Sequence, residues 1–413
     1  YGERLGEPDE LGPLYELLGD VLRRRFGGWR AWVLSGNRAL DKRLGLRPAS
    51  RTVLYNGPIE CRLLELPIAG APPRRPGGPA WRKTDPQVSG FAKRLRKNLR
   101  ECERWAVRSG TDCYRLYDAD VPTFNLAVDR YGGAARVEEY ERPAGVDPVA
   151  ADRRLRSALD AVADVLGIAR AEVVLRVRRR LAPGEQHGRY GDRGRLREVR
   201  ERGLRFLVNL EDYLDTGLFL DDRMLRAWLA ERARGSSFLN LFAYTCAATV
   251  AAARGGARES VSVDLSRRYL DWGRRNLELN GLDPTRHRTV RADVWSRLGG
   301  GSRSRRFDLV FVAPPSRSRS KAMPHEFDLR RDHVEMLARL GGWLARGGTV
   351  VFASHQRRFE LDVAALPQFT SREITHEVTP PDFARRPRLR AWALEVRQTD
   401  PAADDAPVGR LRE

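Results

Sequence analysis

This chain is poor in the residues that cross-link or coordinate. Its 413 residues include four cysteines, Cys61, Cys102, Cys113 and Cys246, and no two form a C-x-x-C pair. That scatter excludes a zinc ribbon and a disulfide framework, and it suits a reducing cytoplasm. The six histidines do not cluster and no H-E-x-x-H motif occurs, so no metal is expected. No apolar run approaches the ~18–20 residues of a spanning helix, which argues against a membrane role. A nucleophile elbow with its Ser–His–Asp partners is also missing. There is no secretory leader and no initiator Met, and the abrupt opening at Tyr1 reads as part of something longer.

Negative charge is in short supply as well. Lys and Arg number 75 against 55 Asp and Glu, a net charge of +20 and a pI of about 10.6. Such an excess calls for an acidic partner, most commonly nucleic acid. The plainer alternative is arginine spread over solvated faces. Apolar residues make up 41%, enough for two or three domains with real cores.

Residues 1–68 contain one clear helical stripe, Leu11, Leu14, Leu17, Leu18 and Leu22, within Glu10–Arg25. Strand-like runs follow at Ala31–Leu34, Val53–Tyr55 and Glu60–Pro67, with Asn56-Gly57 as a hairpin signal. This reads as the closing end of an α/β domain, with too few elements to cover its own sheet. A Pro/Gly/Arg-rich linker over residues 69–90 comes next. Residues 91–200 alternate like a small α+β module: a basic helix, three strands from Cys113 to Glu141, a helix over Val149–Gly167 and a strand over Glu172–Arg178. Residues 201–398 read as alternating strands and helices, a parallel sheet ending in a β-hairpin. The expected strands begin at Leu204–Asn209, and Phe359–Leu366 is expected to be helical. Residues 399–413 are Ala/Asp/Pro-rich and read as a disordered tail.

The richest stretch is FLNLFAYTCAAT, Phe238–Thr249, followed by VSVDLS, Val261–Ser266. An apolar strand ends in a turn of small residues, a helix opens, and about twenty residues later a second strand stops on Asp264. Doubly wound sheets build nucleoside sites in this way: the turn admits the ligand and the acid accepts from ribose hydroxyls. The turn is not G-x-G-x-x-G, which favours a donor with a ribose and no pyrophosphate, and S-adenosylmethionine fits. Asp293, closing the third strand in RADV, can accept from an adenine amino group. For both acids the plain alternative is a cap or a turn. FVAPPS, Phe311–Ser316, closes the fourth strand; Pro314 and Pro315 stiffen the loop and remove two donors, and with Ser316 they could wall a planar base. Asp308 at that strand's start reads as structural. NLEDYLDTGLFLDDR, Asn209–Arg223, packs five acids beside two aromatics. It could lie over the donor, with Asp221 and Arg223 at its polar ends; the alternative is a loop of ordinary ion pairs. His325 and His333 read as surface. Basic runs occur at Ala92–Arg100, Arg176–Arg180 and Arg303–Arg306. A fourth, Arg317, Arg319 and Lys321, borders the two prolines and is placed to contact RNA phosphates. Phe327 and Phe383 could stack an unpaired base, though core packing is the commoner use.

NLEDYLDTGLFLDDR, FLNLFAYTCAATVAAARGGA, VDLSRRYLDWGRRNLELNGL, RADV, FDLVFVAPPS and TPPDFARRP together resemble the fused bacterial 23S rRNA methyltransferases. These make N2-methylguanine with the amino half and N7-methylguanine with the carboxyl half. YRLYDAD and NLAVDRYG resemble the family's central region, and YGERLGE, GDVLRRRFGGW and NGPIECRLL resemble the end of its amino-half enzyme. The resemblance implies a Rossmann-like class I methyltransferase sheet, S-adenosylmethionine as cofactor and 23S rRNA as partner. It implies guanine-N7 transfer by the carboxyl half and loss of the N2 activity, Tyr1 being the last residue of an Asn-Pro-Pro-Tyr motif. It places donor contacts at Asn240, Phe242, Tyr244, Thr245, Asp264 and Asp293, with Asp221 and Arg223 ahead of them. Three positions depart from the family's pattern: Cys246 where Gly is usual, Ala313 where Asp is usual, and Asp222 where His is usual. A cysteine side chain at 246 is expected to crowd the methionine end of the donor. These departures motivate a competing reading, a methyltransferase fold that binds RNA without methylating it. A C5-cytosine enzyme would need a nucleophilic cysteine beside the target loop, which Ala313-Pro314-Pro315-Ser316 lacks.

Overall fold

The computed structural model describes residues 8–26, 28–56, 59–68, 86–140, 147–177, 194–300, 306–318, 326–356 and 358–397. They fall into two compact units, Tyr1–Thr84 and Asp85–Glu413.

The first unit runs α1 (Pro8–Arg25), β1 (Arg30–Ser35), α2 (Arg38–Arg43), β2 (Ser50–Asn56) and β3 (Ile59–Pro67). β3 lies between the other two strands and is antiparallel to both; Asn56 pairs with Ile59 at the place the Asn56-Gly57 signal marks. Only two members of the leucine stripe of α1, Leu11 and Leu22, belong to the packed face. That face is Leu11, Tyr15, Gly19 and Leu22, while Leu14, Leu17 and Leu18 are exposed. Gly19 decides the rotation: a Cβ there would stand 1.9 Å from the Leu44 carbonyl oxygen. Trp32, Val53 and Tyr55 are also exposed, so the unit leaves apolar surface open, as its small number of elements suggests.

The second unit begins with α3 (Pro86–Ser109), which starts inside the stretch expected to be linker. Strands β4 (Cys113–Asp118), β5 (Leu126–Tyr131), β6 (Ala134–Glu139) and β7 (Val173–Val177) form one sheet in that order, and α4 (Pro148–Leu166) connects the last two, which run parallel. Asp147 caps α4 and Gly167 ends it at φ 66°. β8 (Arg197–Glu201) and β9 (Leu204–Val208) then pair with each other. The expectation that Leu204–Asn209 opens the large sheet is therefore corrected: those residues close a hairpin through Arg202 and Gly203, both at positive φ.

The large sheet follows α5 (Arg223–Arg232). Its elements are β10 (Ser237–Leu241), α6 (Ala247–Arg254), β11 (Glu259–Asp264), α7 (Arg267–Leu279), β12 (His287–Arg291), α8 (Val294–Gly300) and β13 (Phe307–Val312). A two-stranded ribbon, β14 (Arg317–Ser318) with β15 (Phe327–Asp328), leads to α9 (Leu329–Leu340), β16 (Leu344–Ser354), β17 (Phe369–Glu373), α10 (Thr375–Val378) and β18 (Arg390–Val396). The strand order is β12-β11-β10-β13-β16-β18-β17. The first five strands are parallel, and β18 is antiparallel to both its neighbours. β10 is buried along its whole length and β13 nearly so, as strands covered on both faces must be. Leu239, Val263, Val310, Phe352 and Trp392 fill one face; Phe238, Leu309, Phe311, Val351 and Ala393 fill the other.

Phe359–Leu366 is not a helix. Asp362 Oδ1 accepts from the Ala365 amide at 3.1 Å, and the Asp362 amide donates to His333 Nε2 at 3.3 Å, so side-chain bonds replace the helical ladder. His333 is accordingly buried rather than on the surface. Phe327 and Phe383 are core residues as well. Among the described residues no helix is long and apolar enough to cross a membrane.

Candidate donor and base site

Parallel packing brings four loops to one edge of the sheet. β11, β10, β13 and β16 are neighbours in that order, with Leu241 opposite both Val263 and Val312, and Val312 opposite Phe352. Asp264, the Phe242–Cys246 turn, the Ala313–Ser316 loop and His355 therefore leave adjacent carboxyl ends, where open α/β sheets bind ligands.

The turn holds an uncommon backbone. Phe242, Tyr244 and Cys246 have φ of 54°, 50° and 58°, in the left-handed region that costs a residue with a Cβ about 1–3 kcal/mol each. Asp264 fixes it. One carboxylate oxygen accepts from the Tyr244 amide at 2.9 Å and the other from the Ser266 amide at 2.8 Å. Thr245 is fully buried and its hydroxyl donates to the Gly217 carbonyl at 2.6 Å. Gly217, at φ 92°, lies so close to the Trp272 ring that a Cβ would stand 2.3 Å from it. This clamps the 209–222 segment against α7. Tyr244 sits between Phe219 (ring centroids 5.5 Å) and Tyr269 (4.5 Å, edge to face), and burial pushes its phenol well above the ordinary value. Phe242 packs near Phe327.

Asn240 lies beneath the turn. It donates to Thr249 Oγ1 at 2.8 Å, and that hydroxyl is 2.7 Å from Ser262 Oγ, a buried polar chain under the site. The Cys246 sulfur turns toward α7. A Cβ on Gly273 would stand 2.5 Å from it, and Ala243 and Leu270 pack around it. Burial pushes the thiol up to about 12, so it is no nucleophile at neutral pH. Asp293 accepts from the Ser296 amide and hydroxyl, both at 2.8 Å, at the start of α8. Pro314 is buried; Pro315 and Ser316 are half-buried, and the Ser316 carbonyl accepts from Leu329. Arg317 is exposed and paired with Asp328 at 2.9 Å, while Arg319 and Lys321 lie outside the described residues.

Arg223 requires a correction. Its guanidinium is 2% exposed and binds both carboxylate oxygens of Asp382, at 2.9 and 2.8 Å, with its plane 4.8 Å over Trp105. Asp382 also accepts from the Arg115 amide at 2.8 Å. Arg223 is thus committed to holding Pro381–Phe383 against the α+β module, and it is not available to a donor carboxylate.

Sequence reasoning missed His355. Its Nε2 stands 3.0 Å from Asp222 Oδ1 and 3.5 Å from Asp221 Oδ2, and its ring is 5.4 Å from Phe219. Burial lowers its pKa, but Asp222 and Asp221 more than offset this and raise it to about 9. Burial also raises both acids. His355 reverses the effect at Asp222, which is held below the usual carboxylate range, while Asp221 stays shifted up. Phe219, Asp221 and His355 line a cleft of about 1000 Å³ with Arg358, Arg386 and Arg388 on its wall. The signal was present: a His directly after an expected strand, at the end where ligands sit.

A nucleoside-type turn locked by an acid, at the carboxyl edge of a seven-stranded sheet with this order, defines a class I methyltransferase. Residues 123–406 match the family model for S-adenosylmethionine-dependent methyltransferases, and the chain belongs to that family. Residues 1–65 match a second model, the RMKL-like methyltransferase domain. The chain is 46% identical over 406 residues to the ribosomal RNA large subunit methyltransferase K/L of Allochromatium vinosum, covering 96% of this chain and 55% of that protein. It is 45% identical to the protein of the same name from Pseudomonas aeruginosa, over 96% of this chain and 56% of that one. The chain thus spans about half the length of the curated relatives it matches. A crystal structure of a methyltransferase complexed with SAH aligns with a TM-score of 0.60 at 22% identity, over 83% of this chain and 87% of that one. A methyltransferase from Streptococcus mutans gives 0.59 over the same shares, also at 22%. At that identity both bear on the fold alone.

Proposed function

We propose that the chain transfers a methyl group to N7 of a guanine in large-subunit ribosomal RNA, using the site at the carboxyl edge of the large sheet. One observation carries the choice of atom: the loop facing the target, Ala313-Pro314-Pro315-Ser316, offers no carboxylate, imidazole or thiol, and the imidazole that leaves the neighbouring strand, His355, is held protonated by Asp222 and Asp221 and so cannot accept a proton. Guanine N7 already has its lone pair, so no proton has to leave before the bond forms. Transfer to an exocyclic amine needs a proton acceptor, and transfer to a pyrimidine C5 needs a thiol. The relatives named as ribosomal RNA methyltransferases and the net charge of +20 support the choice of RNA. A ribosomal substrate implies work in the cytoplasm.

The residues present fit the donor. Asp264 is half-buried beside the turn and takes the ribose hydroxyls. Tyr244 and Phe242 flank the donor's bed, and Asp293 takes the adenine amino group. Asn240 and Thr245 shape the turn from below. Asp221 faces the donor's amino-acid end. When bound, S-adenosylmethionine supplies a sulfonium methyl. The protein's part is to place N7 in line with it, the entropic component of catalysis. Pro314, Pro315 and Ser316 hold the base rigidly, and Arg317, Arg319 and Lys321 contact flanking phosphates without reading sequence. An acid at 313 would add electrostatic help worth roughly 10–1000-fold, and its absence leaves a slower enzyme rather than an inert one.

The test is direct. Unmodified 23S rRNA is incubated with the protein and labelled donor, and the modified base is mapped by reduction and aniline cleavage, which reports N7-methylguanine. Label at N2, or no label while calorimetry shows donor binding, overturns the proposal.

A further inference from the structure

Phe219 and His355 stand together in the cleft, each with surface left open beyond its structural contacts. Phe219 keeps 36% of its surface open although it is a large apolar residue. Its ring centroid lies 5.5 Å from that of Tyr244 in the donor turn and 5.4 Å from that of His355, both tilted against it. His355 commits Nε2 to Asp222 and Asp221, and its side chain is 34% exposed. Among the described residues its Nδ1 has no hydrogen-bond partner. The two acids keep the ring oriented and protonated, so Nδ1 carries a proton to donate. β13 and β16 are parallel neighbours, so His355 leaves the sheet beside the Pro314-Pro315 loop.

We infer that Phe219 and His355 form the reading pocket for the target purine, Phe219 offering the face on which the base stacks and His355 donating from Nδ1 to O6. This rests on the N7 reading above and deepens it. Guanine presents O6 and N7 side by side on one edge, both as acceptors, whereas adenine presents an amino donor in place of O6. A fixed donor at His355 therefore selects guanine over adenine and brings N7 to the adjacent position, toward the donor turn. Stacking on an aromatic ring is how proteins hold an unstacked RNA base. The charge balance also suits the transfer. As the N7–methyl bond forms and the sulfur–methyl bond breaks, the positive charge passes from sulfur to the purine. Asp221 and Asp222 lie behind a single imidazolium, so the cluster can offset the arriving charge.

The experiment uses the whole chain and an rRNA fragment carrying either guanine or 2-aminopurine at the mapped position; 2-aminopurine keeps N7 and lacks O6. A hydrogen bond from a charged donor is worth roughly 10–100-fold in rate. The wild-type protein should therefore lose about that factor in kcat/KM on 2-aminopurine. His355→Ala should lose the same factor on guanine and nothing further on 2-aminopurine, with donor affinity by calorimetry unchanged. His355→Gln, which keeps a donor, should recover part of the loss. Equal losses by His355→Ala on both bases mean a structural role and overturn the inference. A wild-type protein that methylates N7 equally well in both RNAs overturns it even if the variant does not fold. A wild-type protein that leaves guanine N7 unmethylated overturns the proposed function itself, and this inference with it.

Discussion

Gly273 and Cys246 are predicted to be a coupled pair, and the geometry sets the size of the effect. A Cβ on Gly273 would meet the Cys246 sulfur at 2.5 Å, the Cys246 Cβ at 3.1 Å and the Thr245 carbonyl carbon at 3.3 Å. The sulfur is fully buried, so it cannot swing into solvent. Overpacking of this kind costs about 1–3 kcal/mol. Replacing glycine by alanine inside a helix returns about 1 kcal/mol. Gly273→Ala alone should therefore destabilise by about 0–2 kcal/mol. With Cys246→Gly the picture changes: the sulfur is gone, and glycine adopts φ 58° without the penalty that a Cβ carries there. The double variant should be more stable than Gly273→Ala by at least ~1 kcal/mol, with a coupling energy of about 1–3 kcal/mol between the sites. Hydrogen exchange of the α7 amides, measured for wild type, both singles and the double, reads this locally in a chain of two compact units, for which one global unfolding transition is not assured. Additivity within ~0.3 kcal/mol would refute the placement of the sulfur against α7. The same placement answers the expectation that Cys246 crowds the donor: Cys246→Gly should change donor affinity less than threefold by calorimetry.

Asp264→Ala removes the acceptor for two turn amides and the proposed ribose contact, and should weaken donor binding roughly 10–100-fold by calorimetry; unchanged affinity would refute its role. Arg223→Ala leaves the Asp382 charge buried without its cation and should cost about 3–5 kcal/mol, read by hydrogen exchange of the α5 amides. Arg223→Lys should recover little, because the contact is two-pronged; full recovery would contradict the geometry. His355 has its pKa raised to about 9, so the stability its ion pairs contribute is complete below the unfolded value near 6.5 and is lost as pH rises through about 9. An NMR titration of the imidazole with a midpoint at or below 6.5 would contradict this. Replacing Arg317, Arg319 and Lys321 together by Ala should weaken RNA binding and flatten its dependence on salt; an unaltered slope counts against that placement.

The apolar runs and the acid that stops the second of them were legible because they are local. FLNL, VSVD and FDLVFV each carry their own burial signal, and the strands fall within a residue or two of expectation. The β8–β9 hairpin was hidden by reading LRFLV as a sheet strand, although Arg202-Gly203 before it is a two-residue hairpin loop with both residues at positive φ. Pairing choices depend on what lies across the fold, and a single strand does not contain that information. Arg223 shows the same limit at a site. Its charge suited a carboxylate, and it found one in Asp382, 159 positions further on. Residue type predicted the chemistry of the contact, and only the folded chain identified the partner. Cys246 shows the reverse: its identity suggested obstruction, and the glycine that accommodates it lies on another helix.

Asp382 joins three parts of the second unit, since its carboxylate accepts at once from the start of α5 and from the backbone amide that opens the Arg115 position of β4. It works as a keystone. A chimera that imports a foreign α+β module must deliver an N–H to that same point, whatever else its surface looks like. Swapping the loops around the cleft should be tolerated far more readily than any exchange that moves this one oxygen pair.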